Sequence, residues 1–184
     1  MSDHSIADDA KKAADLFVGV LAKALTNRVL DEAFDGQVTM SQLQALRYLR
    51  NNEQRLMSDL ADGLAISYPA ATKTVERLVR KNLVAREGDP ADRRVVRVRL
   101  TESGAALLEK IDAEINERLV SVLDSLEPDD RSALLRGMRA FVAAALKQVD
   151  DRHLLAAICL HCGTYHQDDC PVLAARQRVQ AAAR

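Results

Sequence analysis

The sequence predicts a mainly α-helical fold, α+β in detail, in which one charged β-hairpin interrupts a succession of helices. Three observations lead there. Of the 184 residues, 48% are hydrophobic but only 3% aromatic, and Trp is absent. A core must then be built from Leu, Val, Ile and Ala, which suits helices better than a β-sandwich. Four prolines and seven glycines leave few turns. Apolar residues recur at helical spacing along most of the chain, and the period changes to two only near residues 83–100.

Residues 6–34 read as a long helix, with Ile6, Ala10, Ala13, Ala14, Phe17, Val18, Leu21, Ala24, Leu25 and Leu30 near helical spacing. Asp35-Gly36 ends it in a turn. A second helix is expected over 40–50, with Leu43, Leu46 and Leu49 inward and Ser41 as its N-cap. Two tightly joined helices follow. Ser58 is expected to cap the first, which carries Leu60, Ala61 and Leu64, and Gly63 to give the turn its freedom. Ser67 caps the second, and Pro69 sits in its first turn, where a missing N–H costs nothing. Ala71, Val75, Leu78 and Val79 are assigned to the core. Thr72, Lys73, Glu76, Arg77 and Arg80 are assigned to the outer face.

Leu83, Val84 and Arg86 begin a strand, Asp89-Pro90-Ala91-Asp92 makes a turn, and Val95–Leu100 forms a return strand rich in β-branched residues. A long helix over 102–126 has Leu107, Leu108, Ile111, Ile115, Leu119, Leu123 and Leu126 along one side. Pro128, Asp129 and Asp130 open another that reaches about Val149, with Leu134, Leu135, Met138, Phe141, Val142 and Leu146 apolar. The pattern is that of a winged helix-turn-helix: a small β-hairpin wing follows the second helix, and long helices at both ends serve dimerisation. The expected division is 1–35 (N-terminal dimerisation helix), 36–101 (winged helix-turn-helix), 102–149 (C-terminal dimerisation helices) and 150–184 (a Cys/His-rich extension).

A net charge of −1 does not announce a nucleic-acid binder, but the distribution matters more than the sum. Between Lys73 and Arg99 stand nine basic residues against four acidic ones. A helix fits the major groove, where base edges can be told apart. Ser67, Tyr68, Pro69, Ala70, Thr72 and Lys73 lie in the N-terminal half of the second helix, the half that usually meets bases. Arg77, Arg80 and Lys81 lie further on and suit phosphates, which position without specifying. A solvated helix face is the plainer reading of such a helix, and the wing shifts the balance. Arg93 and Arg94 stand at the hairpin tip beside Asp89 and Asp92. A narrow minor groove attracts an inserted Arg, and a carboxylate can fix that Arg's direction.

The chain resembles the multiple-antibiotic-resistance regulator (MarR) family over about residues 8–148. The most specific matches are Asp89-Pro90-Ala91-Asp92-Arg93-Arg94 and Leu100-Thr101-Glu102-Ser103-Gly104, with Leu78–Arg86 before them. The family usually has Gly where Asn82 stands, and Asn tolerates the same left-handed conformation. The resemblance implies an obligate homodimer whose terminal helices intertwine, each subunit offering one winged helix to half of a palindrome in double-stranded DNA. It implies that Arg94 enters the minor groove with Asp92 as its support. It further implies repression as the commoner mode and, in many members, release from DNA by a small aromatic or phenolic effector. No residue set here names that effector.

The chain runs some thirty-five residues past the family's usual end. There, Cys159, Cys162, His166 and Cys170 follow the spacing Cys-x2-Cys-x3-His-x3-Cys. Four such groups suit a tetrahedral zinc. Three thiolates, with His161, His166 or another ligand as the fourth, would also suit an iron–sulfur cluster. A redox-sensing thiol set or plain apolar packing fits the same residues. Three cysteines clustered within twelve residues exclude a disulfide framework spread through the fold. With no signal-peptide pattern and no apolar run near the roughly 20 residues of a membrane span, a soluble cytoplasmic protein is expected. A catalytic role finds no Gly-rich phosphate loop, nucleophile motif or framed pair of acids. The alternative function is a metal- or redox-handling protein on a winged-helix scaffold, which the wing arginines argue against.

Overall fold

The computed structural model describes residues 3–50, 55–88, 95–151, 154–155, 157–158 and 170–182. Helix α1 (Asp3–Gly19) passes through a π-helical segment (Val20–Asn27) into α2 (Arg28–Glu32). These follow one another with helical backbone angles at the junctions Gly19, Asn27 and Arg28. The wide turn is marked by Thr26, whose hydroxyl donates to the carbonyl of Leu21, five residues back, at 3.1 Å. The expected stop at Asp35-Gly36 is present: both residues are left-handed, with φ of 47° and 61°, and the Gly36 N–H returns to the Leu30 carbonyl at 3.0 Å.

Helix α3 (Met40–Arg50) buries Leu43, Leu46 and Leu49 as expected. Its cap is not Ser41, which lies inside the first turn. Thr39 accepts from the Gln42 N–H at 3.3 Å, and the Gln42 side chain accepts from the Thr39 N–H at 3.2 Å. This reciprocal capping box satisfies two otherwise orphaned donors. Strand β1 (Arg55–Leu56) then leads directly into α4 (Met57–Gly63). Ser58 does not cap α4. The Asp59 carboxylate does so by accepting from the Leu56 N–H at 3.4 Å.

Gly63 also serves differently from expectation. The left-handed residue of the turn is Ala65, with φ of 53°. A Cβ on Gly63 would come within 2.2 Å of the Tyr48 ring, so glycine is needed there for close approach and not for the turn.

Helix α5 (Tyr68–Arg80) is followed by β2 (Val84–Gly88) and β3 (Val96–Leu100). The three strands form one antiparallel sheet in the order β1-β3-β2, with Arg86 opposite Val98 and Arg55 opposite Val98 on the other side. The two-residue β1 escapes sequence reading because two residues carry no period. Helices α6 (Glu102–Asp124), α7 (Pro128–Leu146) and α8 (Pro171–Ala182) follow.

A single main core joins α3, α4, α5, the sheet and the first half of α6, with Leu43, Leu46, Leu49, Met57, Leu60, Val75, Leu78, Val98, Leu108 and Ile111 all buried. Each such side chain contributes roughly 1.5–3 kcal/mol relative to exposure. The start of α6 is pinned to the turn after α5. Thr101 donates its hydroxyl to the Asn82 carbonyl at 2.7 Å and accepts from the Gly104 N–H at 3.0 Å. Asn82 takes the left-handed conformation with φ of 55°, the role expected of it where glycine is usual.

A second, smaller cluster of Leu146, Leu155, Val172 and Ala175 packs α8 against the end of α7. Arg178 strengthens that docking by donating to the carbonyls of Leu146 (3.0 Å) and Val149 (2.8 Å), at and just past the C-terminal end of α7.

Candidate nucleic-acid interface

Helix α5 has one buried and one exposed face. Ser67 caps it, accepting from the Ala70 N–H at 3.4 Å, with Pro69 in the first turn. Ala71, Val75 and Leu78 are fully buried, and this stripe fixes the helix on the core. The outer face then carries Tyr68, Lys73, Glu76, Arg77 and Arg80, all exposed. Ser67 and Pro69 are exposed with them, whereas Ala70 and Thr72 are half-buried. The Thr72 hydroxyl donates to the Tyr68 carbonyl at 3.0 Å, so only its acceptor lone pairs and its methyl group face outward readily. None of the ion pairs among the described residues involves Lys73, Arg77 or Arg80.

Two assignments need correction. Val79 does not face the core: it is 38% exposed, because the buried stripe runs through positions 71, 75 and 78 and leaves the next residue about 100° further round the helix. Lys81, read as a phosphate contact, instead turns back toward the loop before α3. Its ammonium donates to the Gln37 carbonyl and, at 3.3 Å, to the Gln42 side chain. It braces the end of α5 against the start of α3.

The wing base stands beside this face. Strand β3 alternates, with Val98 buried between the exposed Arg97 and Arg99, whereas β2 runs from buried Val84 at its base to exposed Arg86, Glu87 and Gly88 toward the tip. Arg99 pairs across the hairpin with Glu87 at 3.1 Å. A shallow cleft of about 170 Å³ lies between wing and helix, lined by Leu56, Met57, Ser58, Tyr68, Val95 and Val96. Ile66, at the turn before α5, is 36% exposed. Ser58, given only a capping role from the sequence, lines this cleft instead. Asp92, Arg93 and Arg94 lie outside the described residues, as do Cys159, Cys162 and His166. Cys170 is described: it is half-buried, packs against the α7–α8 cluster, and its carbonyl accepts from the Ala174 N–H at the start of α8 (3.1 Å). Among the described residues no three His, Cys, Asp or Glu side chains form a metal-binding group, and no helix is long and apolar enough to cross a membrane.

Residues 37–95 match the sequence model of the MarR family. The HTH-type transcriptional repressor NicR of Pseudomonas putida is 34% identical over 111 residues, which cover 60% of this chain and 70% of that protein. Among solved structures, the YusO protein of Bacillus subtilis is 25% identical with a TM-score of 0.59, over 81% of this chain and 99% of that one. A mutant MarR from E. coli complexed with operator DNA shares the fold at 23% identity, with a TM-score of 0.52 over 69% of this chain and 91% of that one.

Proposed function

The chain belongs to the MarR family of DNA-binding transcriptional regulators, which are not enzymes, and from that membership we propose that it is a homodimeric repressor of a pseudo-palindromic operator. Each subunit lays α5 in the major groove, with Ser67, Tyr68, Pro69, Ala70, Thr72 and Lys73 toward the bases and Arg77 and Arg80 toward phosphates. The wing places Arg93 and Arg94 at the adjacent minor groove, with Asp92 directing Arg94. The single observation that carries this reading is the two-sided character of α5, apolar and buried along Ala71, Val75 and Leu78, basic and exposed along Lys73, Arg77 and Arg80. Repression is the mode named for the similar P. putida protein.

The dimer is supported by apolar surface that one subunit leaves uncovered. Leu16 and Phe141 are each 71% exposed. Val18, Val20, Val120, Leu135, Met138 and Val142 are exposed on the same terminal helices. Contiguous patches of that kind mark interaction sites, and a two-fold axis lets each cover the other. Half-sites should then lie about 10 bp apart, one helical turn. Fluorescence anisotropy against the DNA flanking its own gene, paired with light scattering, tests both parts. A monomer at micromolar concentration that binds such DNA normally would overturn the dimeric reading, and failure to bind any duplex above its non-specific affinity would overturn the regulator.

Family membership supports a small-molecule effector. A metal or cluster site at Cys159, Cys162, His166 and Cys170 rests on their spacing in the sequence, zinc first and an iron–sulfur cluster second. Cys170 lies where the extension meets the dimerisation helix α7, so a ligand bound there would act on the helices that hold the two DNA lobes.

A further inference from the structure

We propose that Asp112 is a positioning residue for operator recognition: it fixes the angle at which the DNA-reading lobe leaves α6 and so sets the half-site spacing the dimer accepts. The inference rests on the dimeric reading above. Helix α6 belongs to two parts of the molecule. Its first half is core of the reading lobe, with Leu108 and Ile111 fully buried, whereas Val120 and Val122 further along are exposed. Asp112 stands where the helix passes from one to the other.

At that point its carboxylate is held by two guanidinium groups from α3. Oδ1 accepts from Arg47 Nε at 3.1 Å and Nη2 at 2.6 Å, and Oδ2 accepts from Arg50 Nη1 at 2.6 Å. Side-chain exposure is only 16% for Arg47, 17% for Arg50 and 26% for Asp112, so the charges are far less screened than those of a surface pair. Helix α3 in turn packs on α5. The recognition helix is therefore referenced to α6 through this clamp.

Apolar contact between α3 and α6 gives adhesion without direction. Charge-assisted hydrogen bonds to a planar guanidinium fix orientation as well. The lever arm makes that orientation matter. From Asp112 to the end of α6 at Asp124 the helix runs about 18 Å at its standard rise of about 1.5 Å per residue. A tilt of about 10° at the clamp displaces the far end by roughly 3 Å, close to the roughly 3.4 Å rise of one base pair. The next tie along α6, Arg118 to Glu32 at 3.2 Å, holds the N-terminal helix and not the reading lobe. Asp112 is thus the polar anchor at the exit itself.

The test uses the full chain, a duplex that the wild type selects from a random-sequence pool, and versions with one base pair inserted or removed between the half-sites. Asp112→Asn is expected to keep its affinity for a single half-site within about twofold, to lose about tenfold on the intact operator, and to pay a smaller penalty than wild type for altered spacing. Asp112→Glu should restore part of the spacing preference, since it keeps the charge. If Asp112→Asn does not fold, Arg47→Gln carries the same measurement, because Arg50 still holds the carboxylate. An unchanged spacing penalty in a folded variant would overturn the proposal while leaving the regulator intact. A wild type that shows no preference for paired half-sites would overturn the dimeric reading, and this inference with it.

Discussion

Replacing Gly104 by Ala should destabilise the protein although it removes nothing. The start of α6 crosses the end of the α5–β2 turn so closely that a Cβ at 104 would lie 2.0 Å from the Leu83 carbonyl oxygen, 2.9 Å from its carbonyl carbon and 3.1 Å from Leu100 Cδ1. The nearest atom is backbone, already accepting from the Thr101 N–H at 3.1 Å, so it cannot rotate away as a side chain would. The helix start must retreat by roughly an ångström or more. Overpacking of this kind costs about 1–3 kcal/mol, and the retreat also stretches the Thr101 cap, worth about 1 kcal/mol. Alanine returns about 1 kcal/mol through its better helix propensity. The net loss is about 2 kcal/mol, or a fall in Tm of about 4–8 °C for a chain of this length. Urea and thermal unfolding at one fixed protomer concentration measure it, since assembly makes stability concentration-dependent. Gly88→Ala is the control: nothing lies within 4 Å of a Cβ at Gly88, and that change should be near neutral. Gly104→Ala unfolding with wild-type midpoints would show that glycine is not required at this crossing.

Arg94→Ala should weaken operator binding at fixed salt while changing stability by about 0.5 kcal/mol or less, as a surface substitution does; unaltered affinity would remove the wing's minor-groove role. Tyr48 is held above the ordinary phenol range chiefly by burial, with Arg55 opposing and Asp59 and Asp62 adding to the shift. Its raised folded-state value means the phenol ionises first in the unfolded chain, so stability should decline as pH rises above about 10. Tyr48→Phe should flatten that alkaline limb; an equally steep limb in the variant would assign the loss to other groups. Glu32 is held below the ordinary carboxylate range, first by its hydrogen bond from Arg28 and then by Arg118. Its link between α2 and α6 should hold at neutral pH and fade as pH falls through that lowered value, which Glu32→Gln unfolding curves from pH 7 to 3 would register as a lost acid dependence. Anaerobically purified protein should carry about one zinc per subunit, or iron and sulfide with a brown absorbance, at the four-ligand tail; no metal after reconstitution would leave the thiols without that role.

The winged helix-turn-helix was legible because its signals are local. Ser67 with Pro69 marks a helix start, Asn82 a left-handed turn, and Val95–Leu100 a strand, and each is decided within a few residues of itself. Where sequence reading chose the wrong residue, two local signals competed. Ser41 and Ser58 are good caps by composition, but Thr39-x-x-Gln42 satisfies two donors where a single Ser satisfies one. Asp59 likewise reaches the Leu56 N–H from inside α4. Gly63 looked like the residue of the turn because glycine usually is, yet Ala65 takes the strained conformation and Gly63 is reserved for Tyr48. Helix α8 was within reach of a closer reading, since Val172, Ala175 and Val179 follow helical spacing after Pro171.

The clamp at Asp112 and the brace at Lys81 belong to another class, because no pattern along the chain could disclose them. Arg47 and Asp112 are 65 residues apart, and Lys81 and Gln37 are 44 apart. Each charged residue sits in a helix or turn where a solvated role is the default. What turns them inward is the packing of elements whose own existence the apolar pattern dictates. Burial of Leu43, Leu46, Leu78, Leu108 and Ile111 brings α3, α5 and α6 together without fixing their mutual angles. The polar contacts at the rim of that core supply the missing direction. Under the dimeric reading proposed above, the rim contact at Asp112 would thereby bear on half-site spacing, which the spacing assay on Asp112→Asn tests directly.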